Sequence, residues 1–156
     1  MQIVLVLDNI RSTHNVGSLF RTADGFGVSK IFLCGVTPDP VDRFGRDRND
    51  IAKVALGAEK IIPWEHVGST IEAITKLKNH GYRIVALEQA ERSISLKDFP
   101  TTKKDIALVL GEETQGLVTD ILDACDIVVE IPMQGAKESF NVSVAAAIAL
   151  YEMNRH

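Results

Sequence analysis

Cysteine is scarce in this chain of 156 residues: Cys34 and Cys125 lie far apart and without CxxC spacing. That pattern indicates neither a disulfide framework nor a zinc knuckle. It fits a reducing compartment, and the cytoplasm is expected. Long apolar runs are missing too, and none approaches the ~20 residues of a membrane span. The opening MQIVLVLDNIRS has no basic segment and meets Asp8 too early for a secretory signal peptide. Common catalytic signatures are absent: there is no GxGxxG, HExxH or GxSxG. Gly111–Gly116 (GEETQG) has P-loop glycine spacing, but Leu117 and Val118 stand where lysine and a hydroxyl are needed. Such a loop does not hold a nucleotide triphosphate and its magnesium in the usual way. His14, His66, His80 and His156 are scattered without ligand spacing, so no metal site is expected. A net charge of −4 argues against a surface that grips nucleic acid everywhere, and leaves room for a local basic patch.

Hydrophobic residues make up 46% of the chain and charged residues 24%, enough for one domain with a real core. Six segments read as strands: Gln2–Leu7, Lys30–Cys34, Lys60–Trp64, Tyr82–Leu87, Asp105–Leu110 and Asp126–Glu130. About five helices alternate with them, including Asn15–Phe26, Asp47–Leu56, Ser69–Asn79 and Ser139–Met153. In the third of these, Ile71, Ile74 and Leu77 are expected to face inward. The strands are mostly continuous apolar runs, which predicts a mostly parallel sheet covered on both faces. The last helix is apolar nearly all round from Val142 to Leu150. Either its own domain buries it on every side, or a second subunit supplies part of the cover. The longest loops, Gly35–Arg48 and Gln89–Lys104, are the expected places for function.

Three segments carry chemistry. In Asn15–Ala23 (NVGSLFRTA), Asn15 is placed to cap a helix and Gly17 admits a close backbone. Arg21 there either reaches a phosphate bidentately or snorkels from an apolar face. In Leu108–Leu117 (LVLGEETQGL) a strand feeds a glycine-flanked loop with Glu112 and Glu113. Ligands of parallel sheets bind at such carboxyl ends, and acidic residues there also suit a helix start. In Ile131–Val144 (IPMQGAKESFNVSV), Ser139, Asn141 and Ser143 enter an apolar helix. Capping by Ser139 explains one of these three polar residues and not all of them.

Taken together, these segments resemble the SpoU (TrmH-like) family of RNA ribose 2′-O-methyltransferases, in the SPOUT superfamily. The first motif is matched by Asn15, Gly17, Arg21 and Ala23, and the second by Gly111, Glu113, Gly116 and Leu117. The third is matched by Ile131, Pro132, Met133, Gly135, Ser139, Asn141, Val142, Ser143 and Ala145. Lys53–Glu65 is family-like as well, and the resemblance runs over essentially the whole chain. Two positions depart from the usual pattern: Phe140 replaces a leucine, and Glu112 an asparagine or serine.

The resemblance implies an α/β fold, a six-stranded sheet with a C-terminal deep trefoil knot, and one catalytic domain over residues 1–156 without a separate RNA-binding extension. It implies S-adenosyl-L-methionine as cofactor, held by Leu87, Glu88, Gln89, Gly111, Glu112, Gly116, Ile131, Met133, Ser139, Phe140 and Asn141. Arg21, Asn15, Glu113, Ser139 and Asn141 are the implied catalytic set. Arg21 acts at the reacting hydroxyl and its neighbouring phosphate, and the other four orient it, the ribose or the cofactor. No metal is implied, because a sulfonium is already an activated leaving group. A homodimer through the last helix and the knot is implied, with tRNA or rRNA as substrate. Arg21 and the basic residues Arg43, Arg46, Arg48 and Lys53 form the expected RNA contact, diluted by Asp42, Asp47 and Asp50. Two other readings are a cofactor-bound RNA-binding module without catalysis and a flavodoxin-like nucleotide binder.

Overall fold

The computed structural model of the protein describes residues 1–155; His156 lies outside the described residues. Seven strands form one sheet: β1 (Ile3–Asp8), β2 (Lys30–Cys34), β3 (Trp64–Val67), β4 (Arg83–Leu87), β5 (Ile94–Ser95), β6 (Ile106–Gly111) and β7 (Ile127–Glu130). Their order is β3-β2-β1-β6-β4-β7-β5, and every pairing within the sheet is parallel. All six residues of β1 are buried, because a central parallel strand is covered on both faces.

The pleat divides the core in two. Ile3, Leu5 and Leu7 pack with α1 (Thr13–Gly25), α2 (Asn49–Ala55), α3 (Ala58–Ile61) and α6 (Val142–Met153). Val4 and Val6 pack on the other side with α4 (Thr70–Asn79) and α5 (Thr119–Ala124). Alternate residues of one strand thus serve opposite layers. No helix among the described residues is long and apolar enough to cross a membrane.

One glycine sets a helix contact that matters for the site. A Cβ at Gly17 in α1 would stand 2.8 Å from the Ile51 carbonyl oxygen and 2.9 Å from Val54 Cβ, both in α2. A backbone oxygen cannot swing aside, so only glycine lets α2 lie this close. The contact ties the end of the β2–α2 loop to the helix that carries Asn15 and Arg21.

The observed elements correct several expectations. The sheet has seven strands, not six: the seventh is the two-residue β5, which pairs with Val129 and Glu130 from inside the 89–104 loop. The strand expected at Lys60–Trp64 is displaced, because Ala58–Ile61 closes a helical turn and β3 begins only at Trp64. There are six helices and one 3-10 turn (Leu96–Asp98) among the described residues, against about five expected. The first helix starts at Thr13, and Ser12 rather than Asn15 caps it, its hydroxyl accepting from the Asn15 backbone N–H at 3.1 Å. The last helix starts at Val142 rather than Ser139 and is capped by Asn141. Ile71 is 41% exposed, whereas Ala73, Ile74 and Leu77 face the core.

Candidate active site

The register of the sheet brings the site together. Asp8 pairs with Gly111, and Leu87 pairs with both Leu110 and Val129. Strands β1, β6, β4 and β7 therefore end level, and the loops that follow them open on one edge. This is the carboxyl edge where parallel sheets bind ligands.

Glu88 locks two of these loops. Its Oε2 accepts from the Leu117 backbone N–H at 2.9 Å, and its Oε1 accepts from the Gln89 N–H at 2.9 Å. Gly116 has φ +64°, and a Cβ there would strike the Glu88 carboxylate. A Cβ on Gly111 would stand 2.8 Å from Leu117 Cδ2 and 3.0 Å from the Gly116 carbonyl carbon. Both glycines of the second motif are thus required by close packing of the loop on itself. The third loop is drawn in by Gln89, whose Nε2 donates to the Glu138 carbonyl at 2.8 Å.

Beside this frame lies a polar cluster built from all three motifs. The Asn141 Nδ2 donates to Asn15 Oδ1 and to Glu113 Oε1, both at 3.1 Å. Asn15 Nδ2 donates to the same Glu113 oxygen at 3.3 Å, as does the Val142 backbone N–H at 3.4 Å. Asn141 Oδ1 accepts from the Ser143 N–H at 2.9 Å and from its hydroxyl at 2.6 Å. One asparagine therefore caps α6 with its oxygen and joins Asn15 to Glu113 with its amide group. Ser139 lines the adjoining cavity, and its side chain has no hydrogen-bond partner among the described residues. Arg21 stands apart: it is exposed on α1 and has no ion pair or hydrogen-bond partner among the described residues. Six residues of helix carry it about 9 Å along the axis from Asn15 and onto another face.

A cavity of about 230 Å³ opens between the three loops. Of the residues expected to hold a cofactor, Leu87, Glu88, Gln89, Gly111, Glu112, Ile131, Met133, Ser139 and Phe140 line it. Gly116 and Asn141 do not: the first supports the loop and the second lies in the polar cluster. Leu110, Glu130, Glu138, Val142 and Ala145 line it as well, and sequence reasoning missed them. Their signal was positional: Leu110 and Glu130 stand at strand ends, Val142 and Ala145 on α6, and Glu138 in the loop between β7 and α6. Five glutamates surround the cavity (Glu88, Glu112, Glu113, Glu130 and Glu138), with no lysine or arginine in its lining. Arg11 reaches Glu112 at 3.5 Å, from outside the lining. Such a lining favours a ligand with positive charge and an apolar body, and disfavours a nucleotide phosphate.

The basic loop lies along the same edge, after β2. Two of its four expected RNA contacts are already paired. Arg46 Nε donates to Asp42 Oδ2 at 3.0 Å, and Arg48 grips Asp50 with two nitrogens at 3.3 and 3.1 Å. These contacts hold both aspartate carboxyls below the ordinary value of 3.8: Asp42 chiefly through the Arg46 backbone N–H, Asp50 chiefly through the Arg48 guanidinium. Arg43 and Lys53 are exposed and have no such partners among the described residues. His66 lies beneath the loop, Nδ1 at 2.5 Å from Asp39 Oδ1 and Nε2 at 3.0 Å from the Gly35 carbonyl.

The chain matches the SpoU rRNA Methylase family over residues 2–151. It belongs to that family. Among SpoU relatives, a 23S rRNA (guanosine-2′-O-)-methyltransferase RlmB of Nitrosomonas europaea is 37% identical over 153 residues, which are 98% of this chain and 56% of the relative. An AdoMet-bound rRNA methyltransferase from Sinorhizobium meliloti superposes with a TM-score of 0.90 at 28% identity, over 99% of this chain and 56% of that one. A structure described as giving insight into the 2-OH methylation of C/U34 on tRNA superposes with a TM-score of 0.82 at 25% identity, over 99% of this chain and 95% of that one. The chain spans 56–59% of the length of the first curated relatives it matches.

Proposed function

We propose that this SpoU-family chain is an S-adenosylmethionine-dependent RNA methyltransferase that acts on a ribose 2′-hydroxyl of tRNA or rRNA. The observation that carries the reading is the joining of all three motifs in the Asn15–Glu113–Asn141 cluster, beside a cavity ringed by glutamates. The SpoU relatives named above support both the cofactor and the reaction. The donor set fits S-adenosylmethionine: the carboxylates suit its ammonium and sulfonium, and Leu87, Leu110, Ile131 and Phe140 suit a flat apolar ring. When bound there, it supplies a methyl group already activated for transfer.

The chain's own residues then do the positioning. Glu113 holds the amides of Asn15 and Asn141, which fixes the donors and acceptors they present to the ribose. Arg21 contributes a guanidinium free to take a phosphate and to stabilise negative charge that develops on the attacking hydroxyl oxygen. Its separation from Asn15 on α1 supports action across a dimer, with Arg21 of one subunit serving the cavity of its partner. The dimer reading rests on α6. One side of this helix, including Ala146, Ala149, Leu150 and Met153, is buried, and the other exposes Val144, Ile148 and Tyr151 in an i, i+4, i+7 stripe. A second copy is the apt cover for this stripe. We also propose the trefoil knot: the segment 131–141 runs to α6 between the loops after β4 and β6, and α6 packs against the 3-10 turn of the β5–β6 connection. The reaction belongs to the cytoplasm, where its RNA is found.

Incubation with labelled S-adenosylmethionine and separated tRNA and rRNA fractions tests the proposal. Label is expected in one fraction and is lost with Arg21→Ala. Absence of both cofactor binding and labelling overturns the reading.

A further inference from the structure

We infer that Phe44 is a stacking platform for an unpaired base of the RNA flanking the methylated ribose; this rests on the reading above. Phe44 sits at the tip of the β2–α2 loop with 66% of its surface exposed and belongs to neither core cluster. Two guanidinium groups stand over its ring, with Arg43 Cζ 4.8 Å and Arg46 Cζ 5.1 Å from the centroid. Aromatic faces interleaved with arginines are the chemistry that takes single-stranded bases: the rings stack and the cations meet the backbone.

The tip is fixed before any ligand arrives. Asp42 Oδ1 accepts from the backbone N–H groups of Phe44 at 2.8 Å and Arg46 at 3.0 Å. The Asp42 N–H donates to the Arg46 carbonyl at 2.8 Å, Val41 bridges Asp47, and Gly45 turns the chain at φ +78°. The base of the loop is equally set. The Thr37 hydroxyl donates to the Cys34 carbonyl at 2.8 Å, and Asn9 Oδ1 accepts from the Val36 N–H at 3.0 Å. An exposed aromatic presented this rigidly loses little entropy on binding.

The two arginines differ in freedom. Arg46 is tethered by Asp42 and stays at the ring, whereas Arg43 has no ion pair among the described residues and can leave it for a phosphate. Its departure opens a ring face for a base. An open concavity of about 600 Å³ beside the ring, bordered by Val36, Arg43, Arg46, Arg48 and His66, gives the strand room. Placement agrees: β2 lies beside β1, whose end pairs with Gly111, and α2, which follows the loop, packs through Ile51 and Val54 on Gly17 of the helix that carries Asn15.

The test compares binding of a fluorescent oligoadenylate dodecamer and an abasic phosphodiester of equal length and charge, by anisotropy at fixed low salt. Wild type is expected to prefer the strand with bases by about fivefold to a hundredfold, the scale of one stacked base. Phe44→Leu should erase the preference and leave abasic binding unchanged, and Phe44→Tyr should keep it. Preference surviving in Phe44→Leu, or equal binding of both strands by wild type, overturns the stacking role. Wild type binding neither strand contradicts the RNA reading itself and the platform with it. Unchanged circular dichroism and S-adenosylhomocysteine binding of Phe44→Leu establish that the loop's loss is local.

Discussion

Asn141 performs two tasks with two ends of one amide, and substitution separates them. Its oxygen caps α6 through the Ser143 N–H at 2.9 Å, and its nitrogen links Asn15 to Glu113. Removal of an asparagine cap costs about 1 kcal/mol. The exposed bonds to Glu113 and Asn15 add roughly 0.5 kcal/mol, the low end for a hydrogen bond. At ~2.1 cal/mol/K per residue, unfolding this chain releases roughly 0.3 kcal/mol per kelvin, so Asn141→Ala lowers Tm by about 3–5 °C. Asn141→Ser retains a capping oxygen and loses the amide donors. Its Tm is expected about 1–2 °C below wild type, since serine caps about as well as asparagine and only the amide bonds to Glu113 and Asn15 are lost. Methyl transfer is expected to fall about tenfold to a hundredfold in both variants, the scale of misplaced reacting groups. Calorimetric melts at one protein concentration and single-turnover transfer measure the two effects. Serine with wild-type activity would refute the positioning role, and alanine with a wild-type Tm would refute the cap.

Leu56 ends α2 in the left-handed region at φ 53°, ψ 42° while 65% exposed, so Leu56→Gly should stabilise by about 1 kcal/mol and raise Tm by about 3 °C. Asp8 is buried at the end of β1, and burial raises its carboxyl above 3.8 despite the Thr70 hydroxyl bonded to it. The folded state then holds this proton more tightly than the unfolded one, so Asp8 costs stability as pH rises through the raised value. Asp8→Asn, which keeps an acceptor for Thr70, should be more stable than wild type at pH 7 in urea titrations and lose that advantage below the ordinary value of 3.8. Burial pushes the Cys34 thiol up to about 12 and Cys125 up to about 11, so neither should react with a thiol reagent at pH 8 until the chain unfolds. Gly111→Ala drives a Cβ into Leu117 and the Gly116 backbone, and should weaken S-adenosylhomocysteine binding by at least about tenfold in a calorimetric titration.

The parallel sheet was legible because β1, β4 and β6 are continuous apolar runs, and only a strand covered on both faces reads that way. Strand β5 was hidden because two residues carry no periodicity, and its pairing with β7 comes from tertiary placement alone. The turn at Ala58–Ile61 was misread as a strand, since Ile61 and Ile62 have the residue types of one. The caps were misplaced by three residues at α1 and two at α6, although serine and asparagine were the right kinds of cap. The site divides the same way. Glycines and polar residues marked each loop, but 126 residues separate Asn15 from Asn141, and no spacing rule joins them. The resemblance to a family joined them in advance, and the register of β1, β6, β4 and β7 supplies the physical reason. The pairing of Arg46 and Arg48 with Asp42 and Asp50 was visible in sequence only as a dilution of charge.

The position of the transferred methyl tests the account most directly. RNA incubated with the protein and labelled S-adenosylmethionine is hydrolysed in alkali and its products are separated. Methylation of a 2′-oxygen blocks cleavage of the next phosphodiester, so the label should run with an alkali-stable dinucleotide and vanish with Glu113→Ala. Label in mononucleotides would place the methyl on a base and contradict the assignment of this site to ribose chemistry.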